Sequence, residues 1–158
     1  MYYLKGQKHF NDCGVACVAT ILGLYNIDYK YKEIKEINNF LDILVVLKSY
    51  NIDVTPLHTN KIISFPCIVQ VKQFNRYHFI VIYEEKDNKF IYYSPNKLMI
   101  HKINKKRFYK RYTSKCIQIN DKRKYYNYKI CLKSIPYTIK LIIIDLFLII
   151  LIISLLNV

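Results

Sequence analysis

Glycine is scarce in this chain: three of 158 residues, Gly6, Gly14 and Gly23, and none beyond position 23. A phosphate-cradling Gly-x-x-x-x-Gly-Lys loop therefore has nowhere to form, which excludes nucleotide hydrolysis by these residues. The first 30 residues lack the basic start, apolar core and small-residue cleavage site of a secretory signal. The five cysteines are an odd number at irregular spacing, which argues against a disulfide framework and for reduced thiols in a cytosolic setting. Acidic residues are nearly missing from one region. Residues 101–140 hold 13 Lys or Arg against 1 Asp or Glu, whereas residues 1–100 hold 12 against 9.

What is present concentrates in Gln7 to Gly23. Cys13 follows Asn11 and Asp12, both good N-caps, and leads into an apolar run, so its thiol is expected at a helix N-terminus. The orphan N–H groups and the helix dipole favour a thiolate there, which would lower the thiol pKa toward neutrality. Gln7, six residues upstream beyond the flexible Gly6, is placed to fold back as an oxyanion donor. His9, Cys13 and Cys17 share an i, i+4 stripe, but no fourth ligand stands at matching spacing. No metal or cofactor is expected.

Val15, Cys17, Val18, Ile21, Leu22 and Leu24 surround the first helix and predict that it is buried on all sides. Asp28 is expected to cap a short helix over Tyr29–Ile37. Asn38 or Asn39 would cap another, with Phe40, Leu41, Leu44, Val45 and Leu47 inward. From Asp53 the period changes. Val54–Leu57, Cys67–Val71, His78–Tyr83, Phe90–Tyr93, Leu98–Ile103 and Cys116–Ile119 read as short strands, with Glu84–Lys89 a hairpin turn. Helices followed by strands give an α+β domain in which a mostly antiparallel sheet packs on the buried helix.

A cysteine on the first helix and a histidine opening the strand His78-Phe79-Ile80-Val81 is the layout of papain-like thiol hydrolases. Together with Gln7, Asp12-Cys13-Gly14-x-Ala16-Cys17, Pro66-Cys67-Ile68 and the Phe108–Ile119 tail, residues 1–122 resemble the peptidase domain of bacteriocin-processing, double-glycine-leader ABC transporters. The resemblance implies Cys13 as nucleophile, His78 as general base and then acid, and Gln7 as oxyanion donor. It further implies cleavage after a Gly-Gly-like pair ending a leader peptide, coupled to export. At the position sixteen residues after the histidine, where the family carries an acid followed by proline, this chain has Ser94-Pro95. Ser94 would face the imidazole at Nδ1 without a charge to stabilise imidazolium, with Asn96 the substitute if the strand register slips.

Residues 139–158 are almost continuously apolar, interrupted by Asp145 and preceded closely by the basic run. Twenty residues at about 1.5 Å each span a bilayer core. The expected organisation is therefore a cysteine peptidase domain over 1–122, a basic juxtamembrane linker over 123–138 and a transmembrane helix over 139–158. Positive charge beside the apolar segment keeps the peptidase domain cytoplasmic and the chain single-pass. Expected partners are a leader peptide, the membrane and a separate ABC transporter subunit. Two other readings stand beside the peptidase: a leader-binding module with weakened or lost catalysis, which Ser94 favours, and a basic nucleic-acid binder. Residues 102–129 mix Lys, Arg and Tyr but carry no nucleic-acid fold signature, so nucleic acid is not an expected partner.

Overall fold

The computed structural model describes residues 12–121 apart from 32, 35, 36, 74, 97 and 98. Gln7, the 123–138 linker and the apolar 139–158 segment lie outside the described residues. Among those described, no helix is long and apolar enough to cross a membrane.

The first helix, α1, runs Cys13–Leu24 and is buried from Gly14 to Leu22, as its apolar circumference requires. Asp12 occupies the N-cap but its side chain makes no capping bond. The helix is held in place by its neighbours. A Cβ on Gly14 would stand 2.5 Å from Cγ2 of Ile37, so this glycine permits the close approach of the Ile37 segment. Gly14→Ala is expected to lose about 1–3 kcal/mol to overpacking against a stiff β-branched side chain. Alanine restores less than ~1 kcal/mol of helix propensity. Thermal denaturation should show a lowered midpoint.

The short helix expected over Tyr29–Ile37 does not form among the described residues. A single turn closes there, with Glu33 N–H donating to the Lys30 carbonyl at 2.8 Å. Burial of Ile34 and Ile37 directs the chain across α1 instead. The next helix, α2, is Phe40–Ser49 and opens on a complete capping box: Asn39 accepts from Leu41 and Asp42 N–H, and Asp42 accepts back from Asn39 N–H at 3.1 Å. This start turns Ile43, Leu44 and Leu47 inward. Leu41 and Val45, expected inside, are 64% and 60% exposed.

Six strands follow: β1 Val54–His58, β2 Cys67–Gln73, β3 Arg76–Lys86, β4 Lys89–Tyr93, β5 Ile100–Asn104 and β6 Tyr112–Ile119. They form one sheet in the order β1-β6-β2-β3-β4-β5, every neighbouring pair antiparallel. The short helix α3, Lys105–Tyr109, was not anticipated. It starts where the Asn104 side chain accepts from Lys106 N–H at 2.9 Å. One face of the sheet, with Phe79, Val81 and Tyr93, packs on α1 and α2. The other, with Ile80, Ile82 and Phe90, is covered by Phe108 and Tyr109.

The β3–β4 hairpin is longer than the sequence suggested. Its tip is two residues, Asp87 and Asn88, both with positive φ, the twist-matched turn that Asp and Asn tolerate. Between Ile82 and Glu84 the register slips by one, so Glu84 pairs with Ile91 but Val81 pairs with Tyr93. The extra residue is a β-bulge. Continued without the slip, the outer register would set residue 94 opposite Val81, on the α1 face. With it, Ser94 falls to the same side as Ile80 and His78.

Candidate active site

Cys13 is the first residue of α1 and the one described cysteine that is not buried. Backbone N–H groups of Phe79, Gly14 and Cys13 itself point at its sulfur. The thiol therefore rests against the backbone of β3 one residue from His78, and both residues line a single groove of about 1000 Å³. Phe40, Leu41 and Tyr77 give this groove apolar walls; Arg76 and Lys115 add positive charge. The Phe40 and Phe79 rings lie 6.1 Å apart.

His78 Nε2 lies 3.2 Å from Ser94 Oγ, and Ser94 Oγ–H donates to Asn96 Oδ1 at 2.7 Å. With its only proton engaged, the Ser94 oxygen is left to accept, an arrangement that suits the tautomer with its proton on Nε2 and leaves Nδ1 the lone pair a base needs. The nitrogen facing Ser94 is thus Nε2, where the sequence suggested Nδ1. Nor are Ser94 and Asn96 alternatives. The bulge brings Ser94 to His78, and Asn96, two residues on, completes the chain from the same side.

The electrostatics depart from expectation. Burial pushes the Cys13 thiol above its ordinary value, outweighing the three N–H groups, and the Asp12 charge adds to the rise. Burial also holds His78 below the ordinary imidazole value of 6.5. Both shifts oppose the low-pKa thiolate expected at a helix start, because removing a charge from water costs more than the exposed end of the helix returns. Alkylation of Cys13 by iodoacetamide should accordingly rise through a midpoint above 9.0, the ordinary thiol value, with no plateau near neutrality. The acid limb of any cleavage profile should fall below pH 6.5, where His78 protonates. Cys17 and Cys67 are pushed well up by complete burial and should label only on unfolding.

Gln7 lies outside the described residues, so the oxyanion donors within them are the N–H groups at the start of α1. Among the described residues no three His, Cys, Asp or Glu side chains converge as metal ligands. His58 sits on β1 beside Lys115 and does not itself line the groove. His101 packs its ring on Tyr92 at 5.2 Å on the far face of the sheet. Phe79 N–H and the groove walls Phe40, Leu41 and Tyr77 went unnoticed in the sequence. A backbone donor leaves no mark there, and apolar residues on a helix read as core.

A sequence profile of the peptidase C39 family matches residues 2–124. Over 129 residues the chain is 31% identical to the SPbeta prophage-derived sublancin-168-processing and transport ATP-binding protein SunT of Bacillus subtilis (strain 168), covering 72% of this chain and 18% of that protein. The corresponding protein of Bacillus phage SPbeta matches equally. The chain thus spans under a fifth of the length of the curated relatives it matches. Among solved structures, the peptidase domain of Streptococcus ComA, a bi-functional ABC transporter involved in quorum sensing, superposes with a TM-score of 0.67 at 23% identity, over 74% of this chain and 96% of that one. A double glycine motif protease from an AMS/PCAT transporter, in complex with the leader peptide, gives 0.64 at 23% identity, over 73% and 88%. The fold is that of papain-like peptidase domains.

Proposed function

The chain belongs to the peptidase C39 family of cysteine peptidases, and from that premise we propose that it is a cysteine endopeptidase cleaving after the Gly-Gly-type leader of bacteriocin-like peptides during their export. The observation that carries the reading is the groove shared by Cys13 and His78, with the thiol held at a helix start against the Phe79 N–H. In this mechanism His78 Nδ1 takes the Cys13 proton as the sulfur attacks the carbonyl carbon of the second glycine. The imidazolium, its Nε2–H held by Ser94 and Asn96, then donates to the leaving amine. Cys13 N–H and the Gln7 amide stabilise the oxyanion. Water hydrolyses the thioester with His78 again the base.

The groove's chemistry suits the substrate assigned to it. A glycine pair brings no side chain to the groove beside Cys13, while Phe40, Leu41 and Tyr77 offer apolar contacts to residues upstream. Residues 1–122 form the peptidase domain in this proposal, 123–138 a basic linker and 139–158 a single membrane span, with the domain on the cytoplasmic side beside an ABC transporter subunit. The test is to incubate the full chain in detergent with a precursor carrying a Gly-Gly leader and to identify products by mass spectrometry. A single cut after the glycine pair, lost when its second glycine is replaced by valine, is the expected result. An intact precursor that is nonetheless bound would support the second reading, a leader-binding module, which the neutral Ser94 favours.

A further inference from the structure

A cavity of about 120 Å³ lies behind Ser94. Ser94 lines it and His78 does not, while Asn96 borders both this cavity and the groove. Its remaining walls include Tyr92, His101, Phe108 and Arg111. None of the described residues that line it is acidic.

We propose that this cavity is a binding subsite for a small monocarboxylate of formate or acetate size, seated between Arg111 and Ser94, which supplies through the Ser94 hydroxyl the negative charge that His78 lacks. The volume fits. One water needs about 10–15 Å³ of such space, so about 120 Å³ admits a small polyatomic anion. The charge fits as well. Arg111 belongs to neither of the ion pairs Lys30–Glu33 and Lys105–Glu85. Burial raises the Tyr92 hydroxyl above its ordinary value, and the charges of Arg111 and Arg107 oppose that rise, so their positive potential reaches the cavity wall. The cleft leading to Arg111 is lined by Asn104, Lys106, Arg107, Lys110 and Arg111, a cationic approach that concentrates anions at the entrance.

Binding requires one rotation and no covalent step. Ser94 Oγ–H turns from Asn96 Oδ1, which is exposed and can be solvated, to the bound carboxylate. His78 Nε2–H continues to donate to Ser94 Oγ. The relay becomes imidazole, hydroxyl, carboxylate, with Ser94 and Phe108 buried on its inner side. Such a charge-assisted bond is stronger than the neutral one it replaces.

The proposal rests on the peptidase reading for its kinetic effect but not for its binding, and the experiment separates the two. Full chain carrying ¹⁵N-histidine, in detergent micelles, is titrated with sodium formate against sodium chloride at fixed ionic strength. Cleavage of the Gly-Gly precursor is measured in parallel. Saturable shifts of the His78 and His101 signals with formate, lost in a folded Arg111→Met variant, are expected, together with a rise in kcat/KM of about five- to tenfold. Saturable shifts in a protein that never cleaves would uphold the subsite and overturn the peptidase. Shifts that do not saturate, that chloride reproduces, or that Arg111→Met retains would overturn the subsite.

Discussion

Cys13→Ala is expected to reduce cleavage of a double-glycine leader by about 10⁴–10⁶-fold, to the rate left by binding and oxyanion contacts alone. The loss is large because the sulfur is both the attacking atom and the acyl carrier, and every other thiol among the described residues is buried. Cys17, one turn on, is fully buried in the core. His78→Ala should cost nearly as much, since the thiol is raised by burial and cannot ionise unaided. The two losses should not add: without its base the thiol is inert, and without the thiol the base has nothing to activate. Cys17→Ala provides the control, lowering stability through a small cavity while leaving kcat largely intact. Activity persisting in Cys13→Ala, measured on protein shown to be folded, would remove the nucleophile from this mechanism.

Ser94→Asp should act in the opposite direction, raising kcat/KM by about 10–10³-fold. Ser94 is buried, 7% exposed, and already 3.2 Å from Nε2, so a carboxylate there would meet the imidazole in surroundings that screen little. It would raise the His78 pKa from its present depressed position, carry the acid limb of the profile to higher pH and favour thiolate–imidazolium over the neutral pair. The midpoint for Cys13 alkylation should fall in step. Ser94→Ala should have a much smaller effect than Cys13→Ala, since it removes an acceptor rather than a charge. A Ser94→Asp variant that folds and leaves both the rate and the alkylation midpoint unchanged would mean that residue 94 does not orient the base, and the leader-binding reading would then be the better one.

Elements carried by pattern were legible in the sequence. The apolar circumference of α1, the β-branched runs of β2 and β3 and a cap at Asn38 or Asn39 each announce themselves within a few residues, although the Asp42 half of the capping box does not. Tertiary decisions were not. Leu41 and Val45 lie outward because helix phase is set by the whole interface, and Tyr29–Ile37 follows its two buried isoleucines instead of its cap. The thiol pKa was misjudged for the same kind of reason. A helix start is visible in sequence, but the depth at which the chain buries it is not, and depth decides the sign. The family resemblance points to position 94, sixteen residues after His78, yet the face it occupies depends on the slipped register at Ile82–Glu84, which no residue type marks.

That slip also sets how the chain tolerates changes in length. A hairpin with a bulge holds one residue in reserve. Losing a single residue from the outer loop between Glu84 and Ile91 can be absorbed by flattening the bulge, since the outer pairs then adopt the inner register and Ser94 stays opposite Ile80. The same loss between Tyr92 and Ser94 has no reserve to draw on and shifts which residue meets the imidazole. Deletion of Asp87 should therefore leave the cleavage rate within a few-fold of wild type, whereas deletion of Tyr93 should abolish it. Relatives of this chain are then free to differ by one residue at the hairpin tip and constrained at its base.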